Sequence, residues 1–246
     1  MSHYIAVEGL IGVGKSTLCR LMRDEWGARL VMEPDATNPF LESYYRDSER
    51  YALPVQMYYL IGRWRQQQQI RQPDLFQDLV VSDYIFAKDR MFAEKTLPED
   101  ELALYDQFAR ALGETAPTPD LLIYLHAPLD VLFQRIATRA VPGEEEIDPS
   151  YLVDLAERYE RLLAQWDGCP VLRLDNRDMN YARDPSARQA VLETIHQALL
   201  GQALPSAPGS EESDREVQTS LFEGAGSRSN NLVQNHRVGP SQEEGR

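Results

Sequence analysis

Five short apolar runs recur along the chain, and helical patterns separate them. The first is Tyr4-Ile5-Ala6-Val7. Ala28 to Met32, Leu79 to Val81, Leu121 to Leu125 and Val171 to Leu174 follow, each bounded by Asp, Pro or Gly, as expected of buried strands. Between them a helical pattern begins at Thr17, and others cover Asn38 to Tyr45, Tyr51 to Ile70, Glu99 to Leu112, Leu129 to Arg139, Tyr151 to Trp166 and Asp184 to Leu200. Apolar strands alternating with helices predict an α/β fold, a five-stranded parallel sheet flanked by helices on both faces. Ligands of such sheets bind beyond the carboxyl ends of the strands. Glu8-Gly9, Glu33 and Asp83 all fall there. From about Gln202 the chain turns to Ser, Pro, Gly, Glu, Asn and Gln with few apolar residues. Residues 1–201 therefore read as one domain and 202–246 as a disordered polar tail, which cannot bury enough surface to offset chain entropy.

The connection after the first strand changes the picture from fold to chemistry. Gly9-Leu10-Ile11-Gly12-Val13-Gly14-Lys15-Ser16-Thr17 is a Gly, four residues, then Gly-Lys-Ser, between a strand and a helix. That is the context of a phosphate-binding loop. Its glycines let backbone N–H groups converge on phosphate oxygens at a helix N-terminus, while Lys15 adds a point charge and Ser16 a hydroxyl for Mg²⁺. The motif implies a nucleoside triphosphate, with ATP and Mg²⁺ as the expected pair.

Composition narrows the partners. A formal charge of −14 over 246 residues argues against a surface that tracks nucleic-acid phosphates, yet leaves room for a nucleotide in a local basic pocket. The two cysteines, Cys19 and Cys169, are too few for a disulfide framework or a Cys-rich zinc site and read as buried thiols in a reducing compartment. No apolar run reaches the length of a membrane span, and the N-terminus enters a strand at once, so a cytoplasmic location is expected.

Two acids stand where chemistry would need them. Pro34 stops the second strand just after Glu33, favouring a turn that exposes the carboxylate; position alone reads equally as a base for an attacking hydroxyl or as a solvated acid. Asp83 closes the run Leu79-Val80-Val81-Ser82, the place of an acid that holds Mg²⁺ directly or through water, with a helix N-cap as the alternative. Arg135 and Arg139, four residues apart, share one face of a helix that runs into a Pro-Gly-acidic segment.

At these residues the chain resembles the deoxyribonucleoside kinases, in motif order from about Tyr4 to Asp178. The likeness rests on GLIGVGKST, Glu33-Pro34, YRDSERYALPVQMYYLIGR, Asp83 to Ala93 and RIATRAVPGEE. It is most similar to the bacterial deoxyadenosine/deoxyguanosine branch. The resemblance implies a P-loop kinase with a helical lid that phosphorylates the 5′-hydroxyl of a deoxyribonucleoside, with a purine expected. Glu33 would match the general base, Tyr45 the tyrosine at the sugar 3′-hydroxyl and Gln56 the glutamine at the base edge. Arg63 and Asp89 would match a base-pocket pair, Arg135 and Arg139 the lid arginines, and Glu144 a lid glutamate near the 3′-hydroxyl. Taken singly, Tyr45 and Gln56 also read as half-buried helix residues, Arg63 with Asp89 as a surface ion pair, and Arg135 with Arg139 as a solvated basic face. A homodimer is a further implication.

Two departures remove positive charge. Where the family carries an acid-Arg-Ser triplet, this chain has Asp83-Tyr84-Ile85, and position 141 is Val where relatives often carry arginine. Arg90 is the expected substitute. In the tail, Gln218, Leu221 and Phe222 form a Gln-x-x-Leu-Phe sequence resembling the peptide by which bacterial proteins dock on the replication sliding clamp. Two other readings stay open at this level, a nucleoside monophosphate kinase and a nucleotide-binding sensor recruited by its tail.

Overall fold

The structure, a computed structural model, describes residues 3–32, 38–71, 78–139, 148–178 and 180–201. Five parallel strands form the sheet: β1 (His3–Glu8), β2 (Arg29–Val31), β3 (Leu79–Ser82), β4 (Leu121–His126) and β5 (Val171–Asp175), in the order β2-β3-β1-β4-β5. All five apolar runs are strands, as their pattern predicts. Among the described residues seven helices connect the strands and an eighth follows β5: α1 (Lys15–Trp26), α2 (Leu41–Arg46), α3 (Ser48–Ile70), α4 (Lys88–Thr96), α5 (Glu99–Gly113), α6 (Leu129–Arg139), α7 (Pro149–Ala164) and α8 (Pro185–Leu199).

The central strand β1 is apolar at every position from Tyr4 to Val7 because helices cover both faces, and these residues are buried. Its register sets the site. Ala6 lies opposite Ser82 on β3, and Glu8 opposite Tyr124 on β4, so the loop that starts at Gly9 and the acid Asp83 both emerge from the carboxyl edge of the sheet on adjacent strands. The chain leaves β1 toward β2 and β3 on one side and returns to β4 and β5 on the other, and a crevice opens where it divides.

A second apolar cluster, built on Ala52, Leu60, Ala93, Leu97 and Tyr105, joins α3, α4 and α5 away from the sheet. Helix α3 begins three residues before its predicted start, since the Asp47 side chain accepts from the Arg50 N–H and caps it at Ser48. Helix α4 is absent from the predicted set: it is short, and its Lys, Asp, Arg and Glu content hides the period of its buried residues Lys88, Asp89, Met91 and Ala93. Cys19 is buried as expected, whereas Cys169 is only half-buried.

Candidate active site

The phosphate loop is held open by its glycines. Gly9 has φ +142°, and a Cβ there would meet the Leu125 carbonyl oxygen at 2.2 Å. Gly14, at φ +104°, leads into α1 and leaves no room for a side chain between Asn176 and Tyr181. Lys15 folds back over the loop, its Nζ donating to the main-chain oxygens of Gly9 (2.6 Å) and Leu10 (3.1 Å). Val13 and Leu10 are buried and anchor the loop to the core.

A cleft of about 810 Å³ runs from this loop along α3. Ile11, Gly12, Gly14, Lys15, Ser16 and Thr17 line one end; Gln56, Tyr59, Arg63 and Phe92 line the other. Asp83, Arg20, Arg135 and Arg139 complete the wall. Among the described residues the lining carries five cationic side chains (Lys15, Arg20, Arg63, Arg135 and Arg139) and one carboxylate, Asp83. A chain of net charge −14 thus builds a local basic pocket suited to a small polyanion.

Several of the sequence-predicted residues lie within the described part of the chain. Ser16 Oγ donates to Asp83 Oδ2 at 3.3 Å, linking the first turn of α1 to the residue after β3. Hard oxygen donors of this kind, completed by phosphate oxygens, suit Mg²⁺, which is rarely caged by protein alone. Gln56 Nε2 donates to Thr96 Oγ1 at 2.9 Å. Arg63 pairs with Asp89, and both are buried. The surface-ion-pair alternative for these two is therefore wrong. Asp89 keeps Oδ2 buried with no hydrogen-bond partner among the described residues, and the Arg63 guanidinium lies 5.3 Å from the centre of the Tyr59 ring. On α6, Arg135 donates to the carbonyl oxygens of Asn176 (2.7 Å) and Arg177 (3.1 Å). Tyr45 lies on α2, but its side chain is outside the described residues, as are Glu33, Val141, Glu144, Gln218, Leu221 and Phe222.

Two sequence expectations about charge change. Glu8, at a strand end beside Glu33 and Asp83 in the sequence reading, is buried away from the cleft. Its Oε1 accepts from the Ile85 N–H (2.8 Å) and its Oε2 from the Tyr159 hydroxyl (2.8 Å), and the Lys88 ammonium stands 3.7 Å away. Arg90 is no substitute for the absent arginine, because it faces outward to a bidentate pair with Asp106 at 3.0 and 3.1 Å. Tyr84 is fully buried instead, its hydroxyl donating to Gln66 Oε1 (2.9 Å) while Gln66 Nε2 donates to the Met32 carbonyl (2.9 Å).

Sequence reasoning missed Lys88, Tyr159, Asn176 and Tyr181. Asn176 Nδ2 donates to the Val13 carbonyl at 2.5 Å and to the Tyr181 hydroxyl at 3.2 Å, and that hydroxyl donates to the Gly14 carbonyl at 3.2 Å. Burial pushes the Tyr181 hydroxyl up to about 12, so it remains a proton donor across the neutral range. These contacts span most of the chain, and no local spacing announces them.

The comparisons with known proteins agree with this geometry. The model of the deoxynucleoside kinase family matches residues 5–200. The chain belongs to the deoxynucleoside kinase family. The kinase is 32% identical over 198 residues to the deoxyadenosine/deoxycytidine kinase of Bacillus subtilis, covering 78% of this chain and 90% of that protein. It is also 32% identical over 163 residues to a deoxyguanosine kinase of the same organism, covering 66% and 79%. In fold it is similar to the solved deoxyadenosine kinase from M. mycoides with bound dATP, at TM-score 0.65 and 23% identity over 78% of this chain and 99% of that one. The kinase is thus a phosphotransferase acting on a nucleoside with a nucleotide as donor. The matches lend no support to a monophosphate kinase or a non-catalytic sensor. No described helix of the kinase is long and apolar enough to cross a membrane.

Proposed function

We propose that this kinase transfers the γ-phosphoryl group of ATP to the 5′-hydroxyl of a purine deoxyribonucleoside. One observation carries the reading: a single cleft joins the phosphate loop to Arg63, which is paired behind the cleft wall with the buried Asp89. Arg63 offers donors and Asp89 an unoccupied acceptor oxygen. A purine edge that presents a ring nitrogen beside an exocyclic group complements such a pair; thymine has no exocyclic amine for Asp89 to accept. All three relatives are named for a purine deoxynucleoside, deoxyguanosine or deoxyadenosine, one of them for deoxycytidine as well, and this supports the same choice.

In this reading the donor phosphates rest on the amides of Gly9 to Thr17 with Lys15 on the β- and γ-phosphates. Ser16 and Asp83 would hold Mg²⁺, which when bound supplies positive charge to the phosphate oxygens. Glu33 takes the proton of the 5′-hydroxyl, Tyr45 and Glu144 meet the 3′-hydroxyl, and Gln56 meets the base. Arg135 and Arg139 offset charge on the transferring group, and catalysis is positioning and electrostatics. The exposed apolar side chains Ile61 on α3 and Leu104 and Phe108 on α5 support a homodimer. The Gln218, Leu221 and Phe222 motif is proposed as a sliding-clamp contact.

Asp89→Asn tests the base assignment. It keeps the shape but turns an acceptor pair into a donor and an acceptor, so kcat/KM for a purine deoxynucleoside should fall about ten- to a hundredfold while thymidine, already poor, changes little. An equal fall for every nucleoside would sink the assignment.

A further inference from the structure

The peptide between Val13 and Gly14 is the joint of the phosphate loop that the helix does not fix. Gly14 O already accepts from the Thr17 and Leu18 N–H groups, which orients the next peptide along α1. The 13–14 peptide turns about bonds of Gly14, whose φ of +104° and missing side chain make rotation easy. Val13 O accepts from Asn176 Nδ2 at 2.5 Å. A carbonyl cannot donate, so the amide nitrogen of Asn176 must be the atom facing it. Because the peptide is trans, its C=O and N–H point opposite ways. Holding Val13 O from the core side therefore turns the Gly14 N–H outward, toward the cleft that Gly14 lines.

The same residue also reaches a cation. The carbonyl oxygen of Asn176 accepts from Arg135 at 2.7 Å, and its N–H donates to His126 O at 2.7 Å, fixing it at the end of β5. Asn176 is itself buried. Tyr181 braces the arrangement, its hydroxyl accepting from Asn176 Nδ2 and donating to Gly14 O, both at 3.2 Å.

We propose that Asn176 is a positioning residue for the phosphate donor: its side chain aims the Gly14 amide at a donor phosphate, and its main-chain oxygen holds Arg135 beside the same cleft. The inference rests on the loop being the donor site. It acts on the donor half of the reaction and leaves the nucleoside half untouched.

The test measures the dissociation constant of a non-hydrolysable ATP analogue by titration calorimetry, together with the nucleoside KM and the melting temperature, in Asn176→Ala, Tyr181→Phe and Lys15→Ala. Loss of an aimed amide on a charged ligand should weaken analogue binding about tenfold in Asn176→Ala and about threefold in Tyr181→Phe, with the nucleoside KM within about twofold of wild type. Unchanged analogue binding in Asn176→Ala, with Lys15→Ala strongly impaired, overturns the role of Asn176. Unchanged binding in Lys15→Ala as well overturns the donor-site reading of the loop instead. Should Asn176→Ala fail to fold, Tyr181→Phe decides, since a purely structural role would lower its melting temperature without separating donor from nucleoside.

Discussion

Replacing Lys88 by Met should destabilise the kinase by about 3–5 kcal/mol, the usual cost of stranding one charge of a buried pair. The structure supplies an independent figure. Lys88 Nζ and Glu8 Oε1 lie 3.7 Å apart with both side chains almost fully buried, which at an effective dielectric near 20 corresponds to roughly 4 kcal/mol of attraction. Glu8 cannot move to water, because it also accepts from the Ile85 N–H and the Tyr159 hydroxyl. Those bonds join the end of β1, just before the phosphate loop, to the residues after β3 and to α7. Urea unfolding followed by circular dichroism would measure Lys88→Met, Glu8→Gln and the double variant. The double variant should cost less than the sum of the single ones by at least about 2 kcal/mol, because it removes both charges together. The coupling should persist in 1 M salt, since a buried pair is little screened. Costs that add to within about 0.5 kcal/mol would refute the claim that these two charges compensate each other.

Gly9→Ala places a methyl 2.2 Å from the Leu125 carbonyl at φ +142°, and should cost about 2–6 kcal/mol from strain and overpacking; a melting temperature unchanged in calorimetry would contradict the loop conformation. Leu104→Glu with Phe108→Glu should turn a dimer into a monomer in light scattering, and a dimer that survives both changes would exclude these residues from the interface. A fluorescent peptide spanning Gln218 to Phe222 should bind a bacterial sliding clamp at micromolar concentration; no anisotropy change there would dismiss the clamp contact. Asp154 is held below the ordinary carboxylate range, chiefly by its hydrogen bond to Lys95. Since the folded state lowers this acid, its contribution exists above the unfolded value and is lost as pH falls through the folded one. Lys95→Met should therefore reduce stability more at pH 7 than in acid, with the difference shrinking as pH falls, and an equal loss at both would show that Lys95 acts through packing.

Much of the fold was legible because the sheet is parallel and buried on both faces, which writes each strand as an unbroken apolar run. The phosphate loop was legible because its residue types are forced by its geometry. What escaped notice arrives from a distance: Asn176 meets Val13 from 163 positions away, and Tyr159 meets Glu8 from 151. Such contacts follow from strand order, not from spacing. The misplacing of Arg90 and the missing of Lys88 both turned on helix phase. Two residues along a helix are about 200° apart, so α4 buries Lys88 beside Glu8 and presents Arg90 to Asp106 at the surface. Since α4 was not among the predicted helices, its phase was not available. Arg63 and Asp89 were paired correctly, yet their burial depended on the cluster that α3, α4 and α5 form together.

The most direct measurement of the central claim is phosphoryl transfer from ATP, with Mg²⁺, to deoxyadenosine, deoxyguanosine, deoxycytidine, thymidine and their monophosphates, in wild type and Glu33→Gln. The expected result is a purine deoxynucleoside 5′-monophosphate as the main product, with turnover at least about a hundredfold lower in Glu33→Gln, the lower bound for losing a general base. Transfer confined to the monophosphates, or full activity without the Glu33 carboxylate, would contradict it.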